Sequence, residues 1–106
     1  MQKISETDLM FQYGDHGNKK LFNNDKYEWG ILVLQFDGES GLYINQDSEE
    51  IMFYVVNGCG TIRVNDKFLP VSEGDAVKVE PGEMYNVICT SPEIKVVYLK
   101  YIPTKV

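Results

Sequence analysis

The sequence is poor in the side chains that most often bind metals or form covalent cross-links. It contains one histidine, His16, and two cysteines, Cys59 and Cys89, among 106 residues. A single imidazole excludes a metal centre built from several histidines of one chain. Two cysteines are too few for a disulfide framework, and no Cys-x-x-Cys pair occurs. We expect Cys59 to lie exposed on a turn and Cys89 to be a small buried hydrophobe.

Basic residues and long apolar runs are also scarce. Ten lysines and arginines stand against sixteen acidic residues, so the net charge is −6. An acidic protein repels phosphate backbones and anionic lipids, and we therefore expect neither a nucleic-acid partner nor a membrane partner. The longest apolar runs, 31–34 and 51–56, are far too short to span a bilayer. The amino terminus has no apolar signal region, which predicts a cytoplasmic location.

What is present fits one small β domain. The length suits a single domain, and the aromatic content of 12% favours sheet over helix. Residues 13–26 are rich in Gly, Asn, Asp and Lys, which predicts an amino-terminal arm and loop over residues 1–26. We expect residues 27–102 to form the β-barrel.

Turn residues and short apolar runs alternate through the rest of the chain. The run 27–36 predicts a buried strand with Trp29 in the core. Pairs such as Asn57-Gly58 and Pro81-Gly82 predict tight turns between short strands. Strands are expected at 42–46, 51–56, 61–64, 68–71, 76–79, 84–89 and 94–102. Closely spaced strands without a helical period are typical of an antiparallel sandwich or barrel.

Two segments resemble the motifs of the cupin superfamily. Residues 53–60, FYVVNGCG, are similar to the end of its first motif, and residues 74–87, GDAVKVEPGEMYNV, are similar to its second. The leader at 13–22 resembles that of a group of small bacterial single-domain cupins. The resemblance covers most of residues 11–101 and implies an all-β double-stranded β-helix, the jelly-roll barrel.

The resemblance also shows which side chains are missing. In metal-binding cupins, three His and one Glu converge on a divalent ion. Here Ile51 stands at the place of the Glu, and Tyr85 stands at the place of the second-motif His. The two-His pair falls on Asn45 and Asp47, or on residues 44 and 46, depending on turn length. We therefore predict a degenerate metal site and no cofactor.

A weaker alternative places a rearranged metal site on Asp47 and Glu50, with a β-bulge shifting the side-chain parity by one. The competing interpretation is that residues 48–50, Ser-Glu-Glu, form a solvated turn. His16 follows Asp15 in a turn, and we expect it to bind its own backbone or a neighbouring strand.

Tyr85 is the strongest candidate for binding a ligand, because its phenol can both donate and accept a hydrogen bond inside an apolar barrel. The other candidates for the same site are Tyr43, Asn45, Asp47 and Phe53. A barrel of this size is wide enough either to be filled by side chains or to hold one small ligand. The sequence is compatible with a Tyr85 that fills the barrel interior and with a Tyr85 that lines a ligand pocket.

Three functions are compatible with the sequence. The first is a metal-independent barrel that binds a small molecule. The second is a cupin-type isomerase, lyase or oxygenase with a rearranged site that uses Tyr85, His16 or carboxylates, although no catalytic residue can be assigned. The third is a non-catalytic dimerisation module, since the kinetochore cupins resemble this chain in lacking the histidines. A homodimer is expected in each case, with residues 1–12 and the last strand apolar enough to pair across a two-fold axis.

Overall fold

The computed structural model describes residues 1–102. Within these residues the chain forms one short 3-10 helix and nine strands. The helix spans Glu6–Asp8, and the strands are β1 (Gly17–Asn23), β2 (Tyr27–Gln35), β3 (Tyr43–Ile44), β4 (Glu50–Asn57), β5 (Cys59–Val64), β6 (Lys67–Ser72), β7 (Ala76–Val79), β8 (Met84–Cys89) and β9 (Glu93–Tyr101).

The strands form two antiparallel sheets that enclose one core. The larger sheet has the order β1-β2-β9-β4-β7, and the smaller has the order β3-β8-β5-β6. The fully buried side chains that fill the space between them are aliphatic and small, namely Val55, Ile62, Val79, Val87, Ile94 and Val96. This is the jelly-roll barrel that the sequence predicts.

Most strand predictions are confirmed, with ends shifted by one or two residues. The run 42–46 is an exception, because β3 contains only Tyr43 and Ile44, paired with Tyr85 and Met84. The loop predicted over 13–26 is wrong for Gly17–Asn23, which forms β1. Its polar composition disfavours a strand, but antiparallel pairing along the edge of β2 satisfies its backbone groups and outweighs that local preference.

The prediction that Trp29 lies in the core is also wrong. Side chains alternate along β2, and Trp29 lies on the outer face of the larger sheet, 40% exposed and stacked on Phe22 with ring centroids 5.9 Å apart. Ile31 and Val33 lie on the same face as Trp29 but are buried, so the apolar run reflects burial on both faces along the second half of β2. Only the start of the strand, at Tyr27 and Trp29, exposes apolar side chains on the outer face.

The amino-terminal arm is held against the larger sheet through Glu6. Lys19 on β1 is buried, and its Nζ donates to the Glu6 backbone carbonyl at 2.7 Å and lies 4.0 Å from the centroid of the Phe11 ring. Lys95 on β9 forms an ion pair with the Glu6 carboxylate at 2.9 Å. The arm therefore lies on the same chain's sheet, where it contributes to the burial of this end of β1 and β9.

The last strand lies in the middle of the larger sheet. It is hydrogen-bonded to β2 on one side and to β4 on the other. Both edges of β9 are therefore occupied, and this strand can offer only its outer face to a second copy of the chain. None of the helices in residues 1–102 is long and apolar enough to cross a membrane.

The turn between β4 and β5 requires glycine for two reasons. Gly58 has a φ of 86°, and an added Cβ would clash with the backbone carbonyl of Glu93. Gly74 has a similar φ of 92°, but nothing lies within 4 Å of the position of its Cβ. The two glycines thus share the backbone strain and differ only in the steric clash.

We predict that Gly58→Ala lowers the free energy of unfolding by more than Gly74→Ala does. The shared positive φ costs an alanine about 1–2 kcal/mol, and the clash at Gly58 adds about 1–3 kcal/mol. Urea denaturation of both variants measures the difference. Equal losses would show that the β4–β5 turn moves away from Glu93 at no cost.

Candidate functional site

A cavity of about 220 Å³ lies between the two sheets. Strands β1, β2, β3, β4, β8 and β9 contribute to its wall, together with the arm and the segment before β3. Its lining residues are Gln12, Asn18, Glu28, Leu32, Ser40, Gly41, Tyr43, Ile51, Phe53, Tyr85, Tyr98 and Lys100.

One part of the cavity wall is apolar and aromatic. Ile51 and Phe53 point inward from β4, because alternate residues of a strand share a face. The Tyr85 ring lies 5.5 Å from the Phe53 ring in an edge-to-face arrangement and 5.5 Å from the Tyr43 ring. These contacts fix the position of the Tyr85 ring and leave its hydroxyl as the polar group of this wall.

The Tyr85 hydroxyl has no hydrogen-bond partner among residues 1–102. Burial is the largest cause that raises the pKa of this phenol well above its ordinary value, followed by the nearby Tyr43 and Glu49. No hydrogen bond contributes to that shift, in contrast to Tyr98. Tyr85 therefore stays a neutral phenol at physiological pH, with its donor and its acceptor both available to the cavity.

A polar part of the wall lies beside Ile51 and Phe53 on the same sheet and depends on Gly30. Tyr98 lies directly opposite Gly30 in the pairing of β9 with β2, and a Cβ on Gly30 would come within 2.6 Å of the Tyr98 hydroxyl. The glycine thus makes room for the phenol, which donates to Glu28 Oε2 at 2.6 Å. Asn18 donates to the same hydroxyl at 3.4 Å. Burial and the Glu28 carboxylate raise the pKa of Tyr98, whereas the Asn18 contact lowers it.

Lys100 supplies the positive charge of the cavity. Its Nζ lies 3.7 Å from the centroid of the Tyr43 ring and 3.9 Å from Glu49 Oε1. The Tyr43 hydroxyl donates to the same Glu49 oxygen at 3.0 Å. The ring and the carboxylate hold the ammonium group beside the cavity, but the distance to Glu49 exceeds that of a hydrogen bond.

The structure brings together three of the five predicted ligand-binding residues, Tyr85, Tyr43 and Phe53. Asn45 and Asp47 do not line the cavity, and their assignment to it is wrong. Asn45 is buried and donates to the backbone carbonyls of Val79 and Glu80, so it joins the segment after β3 to the end of β7. Its Oδ1 is buried without a partner among residues 1–102. Asp47 is exposed in the turn before β4.

Glu49 and Glu50 do not form a solvated turn, because neither is fully exposed and each has a charged partner. Glu49 contacts Lys100, whereas Glu50 begins β4 and points to the outer face, where it pairs with Lys78 at 3.0 Å. The Glu50 carboxylate is the first cause that raises the pKa of Lys78. Glu50 and Asp47 therefore do not meet inside the barrel, and the bulge that would turn Glu50 inward is absent from the paired part of β4 at residues 50–55.

The side chains at the place of a cupin metal site do not fit a metal. Ile51 has no donor atom, and Tyr85 presents a neutral phenol. Among residues 1–102, no three His, Cys, Asp or Glu side chains converge as metal ligands. His16 lies outside the cavity lining and bonds to Asp15 at 2.8 Å, which lowers the pKa of that carboxyl. Cys59 is exposed and Cys89 buried, as predicted.

Residues 30–100 match the sequence model of the cupin domain. The chain belongs to the cupin family. The match covers the barrel from β2 to β9 and includes both segments on which the motif resemblance rests. No curated protein matches the chain significantly in sequence.

Solved cupin structures share the fold at low sequence identity. A predicted oxalate decarboxylase from Thermotoga maritima superposes with a TM-score of 0.84 at 16% identity, covering 96% of this chain and 100% of that one. The polyketide cyclase RemF from Streptomyces resistomycificus gives 0.79 at 15%, covering 95% and 79%. The Cnp3 cupin domain of Schizosaccharomyces pombe gives 0.78 at 14%, covering 95% and 69%. At these identities the likeness concerns the fold alone.

Sequence reasoning missed the polar wall. Glu28 and Lys100 were hidden because both lie in runs that look uniformly apolar. The signal that could have found them is alternation: Glu28 shares a face with Leu32 and Leu34, and Lys100 shares a face with Ile94 and Val96. In the sequence, a charged residue at a position that alternation assigns to the barrel interior is the signal that indicates this polar wall.

The two cavity tyrosines should respond differently to removal of their hydroxyls. We predict that Tyr98→Phe lowers the free energy of unfolding by about 1–2 kcal/mol, because Glu28 loses a charge-assisted hydrogen bond in a partly buried place. Tyr85→Phe should change it by less than about 0.5 kcal/mol, since no hydrogen bond is lost. Urea denaturation at neutral pH measures the free energy of unfolding of both variants. Equal decreases would contradict the finding that Tyr98 has a hydrogen-bond partner and Tyr85 has none.

Proposed function

We propose that this cupin is a metal-independent protein that binds a small molecule inside its barrel. The observation that carries the proposal is the Tyr85 hydroxyl, which faces a cavity of about 220 Å³ without a partner among the described residues. Its donor and its acceptor are both free to bond to a ligand that enters the cavity. An apolar cavity with a few convergent polar groups is the usual form of a small-ligand site.

The size of the cavity limits the ligand. An engineered cavity of about 150 Å³ in another protein binds benzene. The present cavity is larger, at about 220 Å³, and has space for a ring with one or two substituents. The aromatic faces of Phe53 and Tyr85 favour a flat ligand body.

The donor set supports binding without a metal. Ile51 and Tyr85 occupy the places of metal ligands, and both are held by packing in the apolar wall. The polar groups of the cavity include a phenol, a phenol–carboxylate pair and an ammonium, all of which can bind an organic molecule directly. A cytoplasmic location stays a prediction from the sequence.

Benzyl alcohol is a suitable probe, since it has one ring and one hydroxyl. We expect it to bind with a dissociation constant on the order of 1 mM, and to shift the amide resonances of residues around Leu32, Phe53 and Tyr85 in a two-dimensional NMR titration. Chelator in the buffer should leave the binding unchanged.

Leu32→Trp, which fills the cavity, should abolish these shifts. Leu69→Trp makes the same change on β6, outside the cavity lining, and serves as the matched control. Loss of binding in both variants, or in neither, would contradict an interior site. Unfolding midpoints of the two variants confirm that each is folded.

A homodimer is the second proposal, and the outer face of the larger sheet supports it. Tyr27, Trp29, Met52 and Tyr54 are all partly exposed there, and Trp29 and Met52 flank Leu99 in the strand register. Contiguous exposed apolar surface of this kind marks interaction sites. The face also carries the Glu50–Lys78 pair, so a second copy can meet it with charges of both signs.

We predict that light scattering gives twice the 12.1 kDa mass of one chain. Met52→Lys should shift the mass toward one chain, because it buries a charge at the centre of the contact. Phe68→Lys replaces an exposed aromatic on the smaller sheet and should leave the dimer intact. A wild-type mass of one chain at micromolar concentration would refute the homodimer.

A further inference from the structure

Two opposite charges face each other in the cavity wall without forming an ion pair. Glu28 on β2 lies directly opposite Lys100 on β9 in the antiparallel register, and both line the cavity. Opposite charges at such positions are close enough to stabilise the sheet by pairing. Within residues 1–102, however, the ion-pair contacts of these two residues are with Lys20 and Glu49 instead.

The partners that these charges do have leave much of their bonding capacity unused. Lys20 Nζ is 3.8 Å from Glu28 Oε1, and Glu49 Oε1 is 3.9 Å from Lys100 Nζ. Both distances are longer than a hydrogen bond. Glu28 accepts its short hydrogen bond from Tyr98 through Oε2, so its Oε1 stays open as an acceptor. Lys100 rests on the face of the Tyr43 ring, with its N–H groups available as donors.

The two charged groups lie at the boundary of the cavity. Glu28, Glu49 and Lys100 also line a second, polar pocket of about 160 Å³ next to the turn between β1 and β2. Ile51 and Phe53 lie beside them on β4 of the same sheet, and Tyr85 belongs to β8 of the smaller sheet. A ligand in the cavity therefore meets a cation and an anion next to an apolar surface, with an aromatic ring from the other sheet.

We propose that the ligand is a small organic acid that carries a hydrogen-bond donor, either a hydroxyl or an ammonium group, at a second position. Its carboxylate bonds to Lys100, its donor bonds to Glu28 Oε1, and its flat apolar body lies against Phe53 and Tyr85. Such a ligand provides a hydrogen-bonding partner of suitable charge or polarity for both Lys100 and Glu28. A neutral molecule has no carboxylate for Lys100, and a simple acid has no donor for Glu28. The inference rests on the proposed interior binding site and names the class of ligand that the site takes.

The test compares probes that differ by one group. The bifunctional probes are 4-(hydroxymethyl)benzoate and 4-(aminomethyl)benzoate with their meta isomers, because the spacing of the two groups decides which isomer reaches both charges. The probes that lack one group are 4-methylbenzyl alcohol and 4-methylbenzoate. NMR titration gives each dissociation constant for the wild type and for Lys100→Met, Glu28→Gln and Lys67→Met. Lys67 is exposed on β6, outside the cavity lining, and supplies the matched control.

We expect at least one bifunctional acid to bind the wild type about tenfold more tightly than 4-methylbenzyl alcohol, the gain of a charge-assisted contact. Lys100→Met should bring the affinity for that acid down to the affinity of the same variant for the alcohol, and Lys67→Met should have no effect. Glu28→Gln should weaken the ammonium probe more than the hydroxyl probe, which separates the two donor chemistries.

Two results would overturn the inference, and they have different meanings. Equal affinities for the acids and the alcohol, or full acid binding by Lys100→Met, would refute the assigned ligand class while leaving the interior site intact. Failure of the alcohol and of every acid to bind the wild type would refute the interior site itself, and the ligand class with it.

Discussion

The central strand β9 carries the constraint on which both the core and the cavity depend, because it is hydrogen-bonded on both sides. Its inward side chains change along its length from Ile94 and Val96, which are fully buried, to Tyr98 and Lys100 at the cavity. The register with β2 then places Tyr98 over Gly30 and Lys100 opposite Glu28. A slip of one residue would turn all of these groups to the outer face.

The fold could be predicted because its turns are local. Gly58, Gly74, Gly82 and Asn65 take the positive φ values that their places in the sequence predict, and the strands follow from the spacing of these turns. The inward positions of Ile51, Phe53 and Tyr85 also follow from alternation within short, well-bounded strands. What could be predicted of the site is its apolar wall, since that wall lies next to the recognisable motifs.

The rest of the site depends on tertiary placement that the sequence does not encode locally. Strand β1 exists because β2 offers it an edge, although its own residues favour a loop. Asn45 turns away from the cavity because two carbonyls near the end of β7 need a donor. Trp29 and Glu28 are neighbours in one apolar run, yet they lie on opposite faces of the sheet. The packing of Leu32 and Leu34, which share a face with Glu28, into the core shows that Glu28 is the one that faces the cavity.

The solved structures that share this fold include a predicted oxalate decarboxylase, a polyketide cyclase and the Cnp3 cupin domain. The function of this chain must therefore be argued from its inward side chains and not from the barrel. In this chain, Ile51 and Phe53 make the wall at the motif positions apolar, and Tyr85 adds one neutral hydroxyl. The charges lie on the neighbouring strands of the same sheet instead, at Glu28 on β2 and Lys100 on β9. Since they belong to adjacent strands in fixed register, their spacing is as rigid as the sheet. In the proposed ligand site, this rigid pair of opposite charges would select a ligand by the positions of its polar groups.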